Sequence, residues 1–114
     1  MNYDSVHKLV QEIRETPEYK KYQETREAAF SNDLNGAMLQ EFKRLQWTAQ
    51  AETLSHGQVD ELTGKKMQKL GETLQFNPEA AEYLMAEYNF NHLLNDIYKI
   101  LAEGVGVTLG SSED

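Results

Sequence analysis

Apolar residues recur at intervals of three and four along most of the chain, and the longest such run lies near its C-terminal end. Between residues 78 and 103 two neighbouring apolar stripes occupy one predicted helix. The first stripe is Tyr83, Ala86, Phe90, Leu93, Ile97 and Ile100, and the second is Ala80, Leu84, Leu94, Tyr98 and Leu101. An ordinary surface helix has a single apolar face. This helix therefore has enough apolar surface for its own chain and for a partner.

The ends of this long helix are marked by residues that suit free backbone groups. Asn77 is a preferred N-cap residue, and Pro78 lacks the N–H that a first helical turn leaves unpaired. Glu79 adds negative charge at the positive end of the helix dipole. Gly104 is expected to close the helix.

Four shorter helices are predicted upstream by similar signals. The first follows a cap at Asp4 or Ser5, and the second begins at Thr16-Pro17-Glu18 and ends near Phe30. The third runs from the Ser31-Asn32-Asp33 turn to about Leu54 and is stopped by Ser55-His56-Gly57, with Gly57 as a left-handed cap. The fourth covers roughly residues 58–75, with Val59 on its apolar side, and its internal Gly64 and Gly71 make it the weakest element.

No segment shows sustained period-two alternation, so the predicted fold class is all-α. We expect about five helices in an antiparallel helical bundle with a long C-terminal helix. The length of 114 residues suits one domain, which we place at residues 1–105. Residues 106–114 are predicted to form a disordered tail.

The third helix is also apolar on two sides. Its core stripe is Met38, Phe42, Leu45 and Ala49. Trp47, the sole tryptophan, lies opposite that stripe at 100° per residue, and Leu54 shares its face. Another helix of the same chain could cover Trp47. Alternatively, Trp47 contacts a partner, since tryptophan is a common anchor in protein interfaces.

Composition narrows the classes of function. The chain has 11 basic and 19 acidic side chains and a net charge of −8, which disfavours direct nucleic-acid binding. It has no cysteine, which excludes disulfides and thiolate metal sites. The first residues do not resemble a signal peptide and no apolar stretch reaches membrane-spanning length. A cytoplasmic location is expected.

Candidate chemistry is sparse. His92 and Asp96 are four residues apart, as are Glu52 and His56, a spacing that could place two metal ligands on one helix face. A di-iron bundle needs Glu-x-x-His twice, and the chain does not contain it. We therefore expect surface ion pairs at these positions. No catalytic, cofactor-binding or metal-binding residue is predicted, and the Gly64-Lys65-Lys66 turn is expected to be solvated.

Three polar residues, Glu87, Asn91 and Asn95, interrupt the second apolar stripe of the long helix. Polar residues on an apolar seam commonly set register and oligomeric state. They could equally lie at the edge of the seam, in water.

The order and spacing of several short motifs resemble the YlbF/YmcA family of small helical bacterial proteins. The motifs cover roughly residues 4–104 and their main residues are Tyr19, Tyr22, Phe42, Leu45, Gln46, Asn77, Pro78 and Glu87. A related group of uncharacterised short helical proteins shares the same layout and is a second assignment.

The resemblance implies a cytoplasmic regulatory protein without known catalysis. Members of this family assemble with one another and with a further partner, and they support competence, sporulation and biofilm development through ribonuclease Y and messenger-RNA processing. Some members have cysteines that take part in iron–sulfur binding. This chain has none, so cluster binding by its own residues is not expected.

The predicted function is therefore that of an adaptor that acts by protein–protein interaction, with a homodimer as the expected form and related subunits as further partners. The predicted interface residues are Trp47, Leu54, Phe90, Leu93, Leu94, Ile97, Ile100 and Leu101. The alternative is a small-molecule-binding or catalytic bundle in which Arg26, Tyr19 and Tyr22 line a pocket. Arg26 separates the two readings: pairing with Glu41 or Glu87 would make it structural, and an open cavity would favour the alternative.

Overall fold

Five α-helices make up most of the computed structural model, which describes residues 1–107. The helices are α1 (Asp4–Arg14), α2 (Pro17–Phe30), α3 (Asp33–His56), α4 (Glu61–Gln75) and α5 (Pro78–Gly104). No strand occurs among the described residues, so the all-α prediction is confirmed. Most of the predicted tail, residues 108–114, lies outside the described residues.

Side-chain caps begin three of the helices at the predicted places. In each case a side-chain oxygen accepts a hydrogen bond from the backbone N–H three residues later. The three bonds are Tyr19 N–H to Thr16 Oγ1 (3.2 Å), Asn35 N–H to Asn32 Oδ1 (3.0 Å) and Ala80 N–H to Asn77 Oδ1 (3.1 Å). These bonds satisfy backbone donors that a helix start leaves free.

Two predicted starts are wrong. α1 begins at Asp4 itself, after a Tyr3 that makes no side-chain cap bond, and Asp4 N–H donates instead to the Asn2 side chain at 2.8 Å. α4 begins at Glu61, three residues later than expected, so Val59 precedes the helix. Asp60, the residue before the helix, is extended, and its N–H donates to Glu52 at 2.9 Å.

Glycines end α3 and follow α5 in the left-handed conformation. Gly57 has φ of +82°, as predicted for the residue after α3. α5 ends at Gly104, but the left-handed residue is Gly106, with φ of +78°. Val107 N–H donates to Ala102 O at 2.8 Å and Gly106 N–H to Glu103 O at 3.3 Å, the paired bonds of a Schellman motif. The helix therefore ends at the predicted Gly104, but the left-handed glycine that follows it is Gly106.

The chain divides into two compact units, whose boundaries fall inside α2 and α5. The central unit is Glu24–Leu84, and the terminal unit is Met1–Gln23 with Met85–Asp114. In the central unit α3 packs against α4, and the Phe42 ring lies beside Gly71. The single domain over residues 1–105 stays a prediction.

The central unit contains a closed apolar core. Leu39, Leu74 and Tyr83 are fully buried, and the ring of Phe30 meets Tyr83 edge-on with 5.4 Å between centroids. The remaining buried apolar residues of this unit are Ala29, Leu45, Ala49 and Ala80. Burial of this kind is the dominant favourable term in folding.

The terminal unit packs through aromatic rings and buries few residues completely. Phe90 stacks on Tyr22 with 5.0 Å between centroids and meets Tyr19 at 5.5 Å. Only two apolar residues of this unit, Ala86 and Ala102, are buried among those that the structure describes. No helix within residues 1–107 is long and apolar enough to span a membrane.

Candidate interaction surfaces

The ionisable residues form surface pairs and a helix connection. His92 Nδ1 lies 3.5 Å from Asp96 Oδ2, and both side chains are exposed. His56 Nδ1 lies 3.8 Å from Asp60 Oδ1, and His56 also makes the smallest contribution to the lowered pKa of Glu52, the residue that the spacing suggested as its partner. Within residues 1–107 there is no group of three or more His, Cys, Asp or Glu side chains that could hold a metal ion.

Glu52 joins the end of α3 to the start of α4. Its carboxylate accepts hydrogen bonds from Asp60 N–H at 2.9 Å and from the Thr63 hydroxyl at 2.8 Å. The Asp60 bond lowers the pKa of Glu52 below its ordinary value of 4.5, and the Thr63 bond adds to that effect. Helical spacing predicted only the interaction of Glu52 with His56, because Asp60 and Thr63 belong to the next connection and the next helix.

A reciprocal amide pair lies where α3 and α5 begin, inside the central unit. Asn77 Nδ2 donates to Asn35 Oδ1 at 2.6 Å, and Asn35 Nδ2 lies 3.4 Å from Asn77 Oδ1. Asn77 is thus both the cap of α5 and the partner of the buried Asn35. Asn35 gave no sequence signal, because its partner is 42 residues away.

Arg26 lies beside an aromatic ring of its own helix. Its guanidinium lies 5.7 Å from the ring centroid of Phe30, one turn along α2. Glu41 pairs instead with Arg44, whose Nε and Nη2 donate to the two carboxylate oxygens at 2.9 and 2.6 Å. Two surface pockets formed by described residues, one within the terminal unit and one between α3 and α4, are not lined by Arg26, Tyr19 or Tyr22. The small-molecule pocket stays a prediction.

The first apolar stripe of α5 is half-buried within the terminal unit over much of its length. Phe90, Leu93 and Ile97 are half-buried, and Phe90 is engaged by the two tyrosine rings. Ile100, the last residue of the stripe, is 68% exposed. This stripe therefore serves mainly the packing of the unit itself.

The C-terminal part of the second stripe of α5 is exposed, whereas Ala80 at its start is buried. We call Leu94, Tyr98 and Leu101, together with Val105 in the turn after the helix, the α5 seam; all four are exposed, from 37% at Leu94 to 76% at Val105. Within the helix, the spacing of four and three residues is that of the a and d positions in a coiled coil. Glu87 and Asn91 continue the same spacing toward the N-terminus. The seam has the periodicity of a surface that packs on another helix.

A second exposed apolar surface lies on α3, in the central unit. Trp47 is 74% exposed and Leu54 is 83% exposed. Because Trp47 is mostly exposed, the prediction that another helix of the same chain buries it is wrong. A large aromatic side chain left in water is a common interface anchor.

The residues that carry the family resemblance are mostly structural. Phe42 is half-buried and Leu45 is buried against α4, whereas Gln46 and Pro78 are exposed. Tyr19 and Tyr22 hold the Phe90 ring, and Asn77 caps α5. Glu87 is half-buried on α5.

Comparison with known proteins identifies the family of the chain. The family profile described as "Control of competence regulator ComK, YlbF/YmcA" matches residues 2–106. A UPF0342 protein of Clostridium tetani is 35% identical over 107 residues, 94% of this chain and 92% of that protein.

Two further UPF0342 proteins have similar coverage. One from Halothermothrix orenii is 32% identical over 111 residues, 97% of this chain and 94% of that protein. One from Symbiobacterium thermophilum is 33% identical over 107 residues, 94% of this chain and 96% of that protein. Because the family profile covers nearly the whole chain and these relatives align along almost their full length, the chain belongs to the YlbF/YmcA family.

Proposed function

We propose that this protein is a non-catalytic regulatory adaptor of the cytoplasm that acts by binding other proteins, beginning with a second copy of itself. Membership of a family described by control of the competence regulator ComK supports a regulatory role. The observation that carries the proposal is the exposed α5 seam, whose heptad spacing suits a helix of another subunit.

Physical considerations favour association but leave a narrow margin. Exposed apolar patches beyond a few hundred Å² are uncommon on monomers. Burial of roughly 600 Å² of apolar surface would contribute about 15 kcal/mol, against association costs of about 4–15 kcal/mol. A dimer with so small a net gain can exchange subunits, so a related family member could replace one copy.

The finer role follows from the family resemblance. We propose that the exchangeable dimer enters complexes that act on ribonuclease Y and messenger-RNA processing, and so on competence, sporulation and biofilm development. Trp47 and Leu54 supply a second apolar surface that shares no residue with the seam. That surface would let one subunit contact a further partner while its seam is occupied.

The seam is tested by changing its charge. Leu94→Asp with Leu101→Asp should place two carboxylates where the partner helix packs, so light scattering at micromolar concentration should fall from about twice the chain mass of 13.1 kDa to that mass. Because both side chains are exposed, the variant should keep its helical circular dichroism. Asn91→Leu should extend the apolar seam and hold the dimer together at lower concentration.

The matched control is Met85→Asp with Tyr88→Asp. Both residues are exposed on α5 but lie off the seam, and the change in charge is the same. This variant should remain dimeric. A wild-type protein that stays at 13.1 kDa, or a control that dissociates as fully as the seam variant, would contradict self-association through the seam.

A further inference from the structure

A groove between α3 and α4 combines an apolar floor with a basic rim. Met38 and Leu45 of α3 and Leu70 of α4 form the floor, and Lys66 and Lys69 stand beside it. Glu41 and Thr73 complete the lining, and the groove encloses about 340 Å³. All seven residues belong to the central unit and none belongs to the α5 seam.

The charge of the groove is opposite to that of the chain. The carboxylate of Glu41 is bound by the Arg44 guanidinium, which lowers the pKa of Glu41 and offsets its charge. Among the ion pairs of the described residues, the neighbouring Lys65 pairs with Glu61, whereas Lys66 and Lys69 form none. The charge of Lys66 also lowers the pKa of Glu41, by less than Arg44 does. Two positive side chains therefore border an apolar groove on a chain with a net charge of −8.

The dimensions of the groove suit the face of a helix. Met38 and Leu45 are separated by two helical turns, or roughly 10 Å along the axis of α3. An amphipathic helix presents apolar side chains at i, i+3 or i+4, and i+7 over the same distance. A volume of about 340 Å³ accommodates a few side chains of such a helix and leaves its backbone outside.

We propose that this groove binds an acidic amphipathic helix of a partner protein, whose apolar side chains contact Met38, Leu45 and Leu70 and whose carboxylates meet Lys66 and Lys69. The inference rests on the proposed adaptor function and names the chemistry of one partner. The groove shares no residue with the α5 seam. The test below measures peptide binding to the groove, whereas the test of the seam measures oligomeric state. Either proposal can therefore be contradicted while the other holds.

The test uses two fluorescein-labelled peptides of about 18 residues, a length that supports a helix. Both have leucines at i, i+4 and i+7; one has glutamates on the flanking positions and the other has lysines. At about 0.05 M salt, where screening is weak, the acidic peptide should bind the protein at least about tenfold more tightly than the basic peptide. Fluorescence anisotropy measures both affinities.

Two charge-reversal variants test whether the preference for the acidic peptide arises at the groove. K66E with K69E should abolish the preference for the acidic peptide, because it reverses the rim of the groove. K8E with K99E changes the net charge of the chain equally at exposed lysines of the terminal unit and should retain the preference. The L94D/L101D seam variant should also bind the acidic peptide like the wild type.

Methionine methyl NMR places the peptide on the surface. The chain has four methionines, and Met38 is on the floor of the groove, whereas Met1 and Met85 are exposed elsewhere. The acidic peptide should shift the Met38 methyl signal and leave those of Met1 and Met85 in place.

Several results would overturn the proposal. They are equal affinity for the two peptides, loss of the preference in K8E/K99E, and a shift of Met85 in place of Met38. A Met38 shift on concentrating the protein alone would assign the groove to a second copy. A Met38 shift with a single-stranded oligonucleotide that binds more tightly than the acidic peptide would assign it to nucleic acid.

Discussion

The two units of this protein differ in how completely they bury their apolar side chains. In the central unit seven apolar residues are buried, among them the large side chains Leu39, Leu74 and Tyr83. In the terminal unit only Ala86 and Ala102 are buried among the described residues, while the α5 seam remains in water. On average α5 is more apolar than α3, so composition does not explain the difference. Packing does, because α3 packs on α4 within the central unit.

Because of this difference, the residues that stabilise the fold are not the same as those expected to join subunits. A closed core stabilises the fold of a chain, whereas an exposed seam of regular spacing contributes only when another helix covers it. We therefore expect core changes in the central unit to act mainly on the free energy of unfolding. Changes at the α5 seam should act mainly on subunit mass.

The largest effect is expected for Leu39→Ala. Leu39 is fully buried in the central unit, so its truncation leaves a cavity and should lower the free energy of unfolding by about 2–5 kcal/mol. Leu93→Ala removes the same atoms from a half-buried site in the terminal unit and should cost about 1 kcal/mol. Urea denaturation followed by circular dichroism measures both.

The surface control for this pair is Leu34→Ala, which lies on α3 with Leu39 but is 68% exposed. It should change the free energy of unfolding by no more than about 0.5 kcal/mol. If Leu93→Ala destabilised the protein as much as Leu39→Ala, the terminal unit would have a core as closed as that of the central unit. The proposed difference in core packing between the two units would then be wrong.

The second prediction tests the amide pair that holds two helix starts together in the central unit. Asn77→Ala removes the cap of α5 and leaves the buried Asn35 without its closest partner. The expected loss is about 2–3 kcal/mol in the free energy of unfolding, since the lost cap and the unsatisfied amide both contribute.

Asn77→Asp is the matched control. The aspartate keeps an oxygen for the Ala80 N–H but cannot donate to Asn35 Oδ1. Its stability should therefore fall between those of the wild type and Asn77→Ala in urea denaturation near pH 7. An Asn77→Asp protein as unstable as Asn77→Ala would mean that the cap itself contributes nothing measurable.

The smallest expected effect is on how the free energy of unfolding depends on pH. The pKa of Glu52 is lowered in the folded state, chiefly by the Asp60 N–H, so its carboxylate stabilises the fold above the ordinary value of 4.5. That contribution should be lost as the pH falls below 4.5 and through the lowered pKa. Glu52→Gln should remove this part of the pH dependence, which a series of urea denaturations from pH 6 downward measures.

Glu61→Gln provides the comparison, because Glu61 is exposed in the first turn of α4 and its ion pair with Lys65 is long at 3.7 Å. Its curve of stability against pH should resemble that of the wild type in shape. A Glu52→Gln protein with an unchanged pH dependence would show that the connection between α3 and α4 does not depend on the charge of Glu52.

The helices and most of their ends could be predicted from the sequence because they depend on nearby residues. Thr16, Asn32 and Asn77 cap helices through bonds to the backbone three residues away, and Gly57 adopts the left-handed conformation that glycine allows. The start of α4 could not be predicted in the same way. It depends on Glu52, which lies eight residues before Asp60 and in another helix.

The periodicity of the sequence by itself determined that α3 and α5 each have two apolar sides, because the side-chain direction in a helix follows from residue number. Which side would be covered was decided only by the tertiary structure. Tyr19 and Tyr22 meet Phe90 on one stripe of α5, so the neighbouring stripe with Leu94 and Leu101 remains exposed. The groove beside Lys66 and Lys69 likewise exists only because α3 packs on α4. Contacts between residues far apart in the chain depend on how helices approach one another, and that approach is not a property of any local pattern.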